Sequence, residues 1–289
     1  LPSPAMETAL HNILERVRAA AADATPLRLC GGGSKDFHGL ALEGTPLDLR
    51  PLRGIISYEP TELVVTARAG TPLQELQATL AQAGQALAFE PPDFALGDKQ
   101  PTVGGMVAAG WSGPARASSG AVRDFVLGVE IINGRGELLR YGGQVMKNVA
   151  GYDVSRLMAG SWGTLGVITE VSLKVLPVAP AQATLVFAMN EAQALEALNR
   201  WGGQPLPLNA SCWAQGQLWL RLCGAQAAVQ AACQKLGGER LPDDQAAALW
   251  HSLREQQHPW FAQRSDTNAL WRLSLPQTAA PLALPEGIA

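Results

Sequence analysis

Three clusters of small residues carry most of the chemical potential of this sequence. The first, Leu27-Arg28-Leu29-Cys30-Gly31-Gly32-Gly33-Ser34-Lys35, runs from an apolar stretch into three consecutive glycines. Glycine has no Cβ, so its backbone can come close to a ligand. Successive N–H groups in such a turn form a concave nest for an anion, with Ser34 adding a hydroxyl and Lys35 a positive charge. The spacing matches neither the G-x-x-x-x-G-K-[ST] loop nor the G-x-G-x-x-G turn. Alone, the run reads equally as a flexible turn or a phosphate nest. The second cluster, Thr102-Val103-Gly104-Gly105-Met106-Val107-Ala108-Ala109-Gly110-Trp111-Ser112-Gly113, reads as a helix start pressed onto something bulky. Bare amides there suit a pyrophosphate, and close packing of a helix on a sheet demands the same residues. The third, Gly160-Ser161-Trp162-Gly163-Thr164-Leu165-Gly166, feeds a regular strand and reads as a tight strand entry or as a ligand turn. Other chemistry is sparse. Cys30, Cys212, Cys223 and Cys233 show no CxxC pairing, and His11, His38, His251 and His258 are scattered. Neither a zinc site nor a Ser/His/Asp triad is recognisable.

The elements that must hold these clusters follow from periodicity. Residues 6–22 carry an apolar stripe of Met6, Leu10, Ile13, Leu14 and Val17, a helical pattern. Residues 27–29, 55–57 and 64–67 read as short strands. Thr71 reads as the N-cap of a helix with Pro72 first and Gln74 completing a capping box; Gly84 ends it. Residues 91–124 lack periodicity and read as a functional loop. Strands at 125–132 and 137–141 flank Asn133-Gly134-Arg135-Gly136, a hairpin signal. Residues 167–175 alternate, with Val167, Thr169, Val171, Leu173 and Val175 on one buried face. Pro177-Val178-Ala179-Pro180 reads as a domain boundary. Beyond it, strands at 183–188, 208–214, 217–223 and 269–275 alternate with helices at 191–201, 225–236 and 244–257, the ferredoxin-like order.

The chain has 289 residues, 47% hydrophobic and 16% charged, enough apolar surface for two compact domains and too much for a disordered chain. A net charge of −3 argues against a general nucleic-acid binder. Apolar runs break well short of the roughly 18 residues of a membrane span. Residues 1–6 show no signal-peptide pattern, and the start at Leu1 rather than Met reads as processed. Unpaired cysteines fit a reducing, cytoplasmic setting.

Taken together, in this order and at these separations, the three clusters resemble the flavin-binding domain of the vanillyl-alcohol oxidase superfamily, the p-cresol methylhydroxylase (PCMH) type, over residues 27–177. A narrower likeness is to the family of smaller FAD-binding subunits of bacterial glycolate oxidases. It is carried by Gly31 through Phe37, Phe89-Glu90-Pro91-Pro92, Ser112-Gly113-Pro114-Ala115-Arg116, Gly120 through Gly128, and Met146-Lys147-Asn148-Val149-Ala150-Gly151-Tyr152-Asp153. It continues through Asn199-Arg200-Trp201 and Leu218-Trp219-Leu220-Arg221. The resemblance implies an α+β fold: a PCMH-type FAD-binding domain of two α+β subdomains at 1–177, then a ferredoxin-like α+β cap at 181–289. It implies FAD contacts at Gly31, Gly32, Gly33, Ser34, Lys35, Thr102, Gly104, Gly105, Ala109, Ser112, Gly113, Gly120, Val167 and Ile168. It implies two partners, a larger FAD-binding subunit and an iron–sulfur subunit, with glycolate or a related 2-hydroxy acid as the substrate of the complex. No nucleic acid and no transmembrane segment are expected, and any membrane association would come through partners.

Departures from the family pattern refine these expectations. Gly33-Ser34 stands where the berberine-type branch has Gly-His, so the FAD is expected to be non-covalent. The larger subunit and its D-lactate dehydrogenase relatives carry a His-rich, metal-assisted site in the cap. Here His251 and His258 flank a helix end, so no metal is expected and no residue is assigned a catalytic role. Family members continue past Ala289 with a segment that returns to the flavin domain, so a pocket lacking that segment is expected. Trp111, Trp162 and Trp201 either flank a ring or simply pack. Arg116, Arg123 and Asp124 either fix the long loop or touch flavin. Lys147, Asn148, Tyr152 and Asp153 face the flavin or a partner, unless Asp153 caps a helix. The function expected is that of an FAD-binding subunit of a glycolate oxidase. A 2-hydroxy acid becomes a 2-oxo acid, a hydride passes to flavin and electrons go on to the iron–sulfur subunit. With no His cluster in the cap, an electron-relay or structural role is favoured over substrate oxidation. Two alternatives stand beside it, a scaffold that binds no flavin and a self-sufficient FAD-dependent oxidase.

Overall fold

The structure, a computed structural model, describes residues 4–39, 41, 43–143, 151–262 and 270–283. Met146, Lys147, Asn148, Val149 and Ala150, named above, and the first residue of the expected strand 269–275 lie outside the described residues. The chain divides into two compact units, Leu1–Val178 and Ala179–Ala289.

The first unit has two cores. Helix α1 (Pro4–Ala22) packs Ile13 and Val17 over strands β1 (Leu27–Cys30) and β2 (Thr45–Asp48). These two strands run parallel, Leu27 opposite Thr45 and Cys30 opposite Asp48. Strand β2 escapes periodicity because it is four residues long and Pro46 interrupts it. The larger core follows, built from β3 (Ile55–Glu59), β4 (Val64–Arg68), α2 (Leu73–Gln82), β5 (Gln85–Ala86), α3 (Val103–Ala109), α4 (Arg116–Ser119), α5 (Val122–Phe125), β6 (Val126–Ile132), β7 (Leu138–Gly142), α6 (Val154–Leu157), β8 (Val167–Lys174) and β9 (Leu176–Pro177). An antiparallel sheet in the order β3-β4-β8-β6-β7 carries Val65, Ala67, Val129, Val171 and Leu173 against Leu76 and Leu80 of α2 and Met106 and Val107 of α3.

Three expectations change here. Thr71 does not cap α2, whose N-cap is Pro72 with no side-chain bond. Its hydroxyl instead accepts the Gly54 N–H at 2.9 Å and donates to the Gly54 carbonyl at 3.2 Å, tying the turn before β3 to the helix start. The 91–124 stretch is not structureless; it holds α3, α4 and α5, too short to show a period. Strand β8 is largely covered on both faces. Ile168 is buried as fully as Val167, and Ser172 is buried beside them. On the second face, Thr66 and Ser172 share a hydrogen bond of 2.8 Å. There Arg68 and Arg140 meet Glu130 and Glu170 within 4 Å.

The second unit comprises β10 (Ala181–Ala188), α7 (Glu191–Gly202), β11 (Leu208–Ala214), β12 (Gln217–Gly224), α8 (Gln226–Leu236), β13 (Glu239–Leu241), α9 (Asp243–Arg254) and α10 (Pro259–Ala262). Its sheet order is β11-β12-β10-β13, antiparallel throughout, the ferredoxin-like arrangement. The fourth strand is β13, not 269–275. Three residues cannot display a period-two pattern, whereas Trp271, Leu273 and Leu275 alternate yet lie exposed outside any strand. Ala183, Leu185, Ala197, Trp201, Leu218 and Val229 lie in this unit's core, and Trp201 packs at a tilt against Phe187 with ring centroids 5.1 Å apart; packing, not ring binding, is its role.

Candidate functional site

A cleft runs through the first unit between its two cores. Leu29 and Leu49 wall one side, Ala69 and Ile168 the other, and the glycine segments converge on it. It gathers Gly31, Gly32, Gly33, Ser34, Lys35, Thr102, Gly104, Gly105, Ala109 and Ile168, together with Trp162, Gly163 and Gly166 of the third cluster. Ser112, Gly113, Gly120 and Val167 do not line it. Ser112 Oγ accepts the Val122 N–H at 3.1 Å and Gly113 N–H donates to the Phe89 carbonyl, both fastening the loop. Gly120 closes α4, and Val167 is buried in the smaller core.

The donors in the cleft are unevenly engaged. At the start of α3, Val103 N–H donates to Thr71 O, Gly104 N–H to Ala69 O, and Gly105 N–H to Thr102 Oγ1 at 3.3 Å. The expected bare helix amides are therefore spoken for by the protein. Close packing explains Gly104, since a Cβ there would sit 2.6 Å from the Ala69 Cβ. Gly105 differs, because its missing side chain faces the cleft and only Thr102 Oγ1 is near. The amides of the first glycine loop are engaged differently. Among the described residues, the backbone N–H groups of Gly31, Gly32, Gly33 and Ser34 meet no protein acceptor. Buried Ser34 accepts a hydrogen bond from Lys35 Nζ at 3.3 Å, bringing a cation beside those amides. Gly33 adopts φ +73°, the left-handed conformation that curls successive N–H groups into a nest. This donor set fits a dinucleotide pyrophosphate.

Sequence reasoning missed His38 and the walls at Leu29, Leu49 and Ala69; apolar residues on short strands look like ordinary core until the cleft forms beside them. The motif around Glu90 proves structural. Glu90 Oε2 accepts the Ala115 N–H at 2.9 Å and fully buried Phe89 packs on Phe125. Asp153 caps α6, accepting the Arg156 N–H at 3.0 Å. Arg123 and Asp124 are largely exposed, and Asp124 accepts the Ala121 N–H, so this pair fixes α5. Among the described residues no group of His, Cys, Asp and Glu could hold a metal ion. No helix among them is long and apolar enough to cross a membrane.

Comparison with known proteins agrees with this geometry. Residues 9–142 match the family model described as an FAD binding domain. The fold resembles solved alkyldihydroxyacetonephosphate synthase, with a TM-score of 0.62 at 18% identity, covering 85% of this chain and 56% of that one. The matched domain and the fold place the chain among proteins with a PCMH-type FAD-binding domain. The chain is 50% identical over 273 residues to the Escherichia coli glycolate oxidase subunit GlcE, covering 94% of this chain and 75% of the relative. It belongs to that family of glycolate oxidase subunits. More distant likeness extends to the Bacillus subtilis glycolate oxidase subunit GlcD, at 32% identity, and an Anaerostipes hadrus D-lactate dehydrogenase, at 34%. The chain spans about a third of the length of each of those two.

Proposed function

We propose that this chain holds FAD non-covalently in the cleft and serves a multi-subunit glycolate oxidase as an electron-relay or structural flavin subunit. Its partners in this reading are a larger FAD-binding subunit and an iron–sulfur subunit. The observation that carries it is the convergence of three glycine segments on one cleft with the amides of Gly31 through Ser34 left as donors. Those amides and Lys35 would bind the pyrophosphate. Gly105 keeps room for it, and Leu29, Leu49, Ala69 and Ile168 exclude water from the deep wall. When bound, FAD supplies the two-electron acceptor that 2-hydroxy acid oxidation requires. A relay role is favoured over substrate oxidation because no His cluster appears among the described residues of the second unit.

The visible spectrum of the purified protein tests this, before and after anaerobic glycolate. Flavin bands that persist with glycolate but bleach with dithionite support the relay. Bleaching by glycolate alone identifies a self-sufficient oxidase, and the absence of flavin bands after incubation with FAD identifies a scaffold.

A further inference from the structure

The cleft ends at its mouth in an aromatic cluster whose size no packing need explains. His38 lies stacked on Trp162, centroids 4.7 Å apart and planes 21° from parallel. Trp111 meets both edge-on, at 4.9 and 5.9 Å. Phe37 and Phe94 extend the cluster through Trp111 at 6.1 and 5.3 Å. Five rings come from four separate chain segments, yet Phe37 is 61% and Trp162 41% exposed. Leaving such rings in water forfeits the burial that normally rewards them. Trp162 is also held at φ +51°, a strained conformation for a bulky residue. Its backbone N–H donates to the Ala108 carbonyl at 2.9 Å, which holds this turn beside the lining end of α3.

We propose that the stacked His38–Trp162 pair, buttressed by Trp111, is a ring-binding platform that seats one of the two flat ring systems of the cofactor at the cleft mouth. This rests on the reading that the cleft holds FAD. His38, Trp162 and Lys35 line the same cleft as the glycine nest, so a dinucleotide anchored there by its pyrophosphate has one ring directed to the deep aliphatic wall and the other to the aromatic mouth. The mouth offers π faces, which suit a heteroaromatic ring regardless of its substituents. The aliphatic end offers only dispersion contact.

The test is binding of FAD, FMN and ADP to the apoprotein by equilibrium dialysis, with flavin emission recorded in parallel. Trp162→Asn removes the ring while tolerating the left-handed backbone; His38→Ala removes the second ring from an exposed loop, where loss of folding is not at issue. Each is expected to weaken FAD binding roughly tenfold to a hundredfold, the usual range for a lost stacking partner. Trp162→Phe is expected to restore most of it. Where the isoalloxazine is the ring seated, FMN weakens with FAD, and residual bound flavin brightens as indole quenching is lost. Where it is the adenine, ADP weakens instead and emission does not change. Wild-type binding by both ring-deleted variants overturns the platform and leaves the cleft reading intact. Failure of the wild-type apoprotein to bind FAD, FMN or ADP overturns the cleft reading and the platform with it.

Discussion

At the scale of single residues, neighbouring glycines in one motif do different work. Gly104 lets α3 touch β4, and Gly105 keeps the cleft open. Gly104→Ala is expected to cost about 1–3 kcal/mol through overpacking against Ala69, visible as a lowered thermal midpoint. Gly105→Leu is expected to leave that midpoint nearly unchanged while weakening FAD binding at least tenfold, read by dialysis. Equal effects on stability would contradict the division. Cys212 makes a second case. Burial pushes its thiol up to about 11, so little thiolate exists near neutrality. Iodoacetamide at pH 8 should label it roughly a hundredfold more slowly than an unperturbed cysteine, since two pKa units separate them; mass spectrometry of the labelled peptides reads this directly.

At the scale of elements, the charged face of the five-stranded sheet has a definite pH signature. Glu170 on β8 faces Glu130 on β6, with Arg140 of β7 and Arg68 of β4 alongside. Burial first, and the Glu130 carboxylate second, raise the Glu170 carboxyl above its ordinary value against the pull of the two arginines. A carboxyl raised on folding binds protons more tightly in the native state. Its contribution is therefore fully present below the unfolded value of 4.5 and lost as pH rises through the folded one. Glu170→Gln should consequently gain on wild type as pH climbs from 4 to 8 in a denaturant series. A constant difference across that range would refute the assignment. In the second unit, Asn190 and Gln193 form a reciprocal capping box at the start of α7. Asn190→Ala should cost about 1 kcal/mol, seen as a lower urea midpoint with an unchanged slope.

At the scale of the molecule, the cleft lies wholly within Leu1–Val178, and the second unit has its own core. FAD should stabilise by mass action what it binds, about 2.7 kcal/mol at a hundredfold excess over Kd. Amide exchange with and without FAD should show protection concentrated in the first unit, strongest at residues 31–35. Protection spread evenly over both units would mean that the cofactor couples the two cores.

The amino-acid sequence by itself determined the glycine segments and most elements of more than five residues, because those depend on local composition and on periods long enough to register. The α1 stripe, the Asn133–Gly136 hairpin, the Asn190 cap and the Gly237 helix end all follow from neighbours in the chain. Tertiary structure alone decided what each glycine is for. Whether an amide in α3 is free depends on Thr71 and Ala69, more than thirty residues away. It decided the fourth strand of the second unit, since a three-residue strand exists only through its partner β10. It also placed Trp162 against His38 across more than a hundred residues of sequence. Such contacts between distant segments leave no period in the chain, and the cleft mouth is built from them.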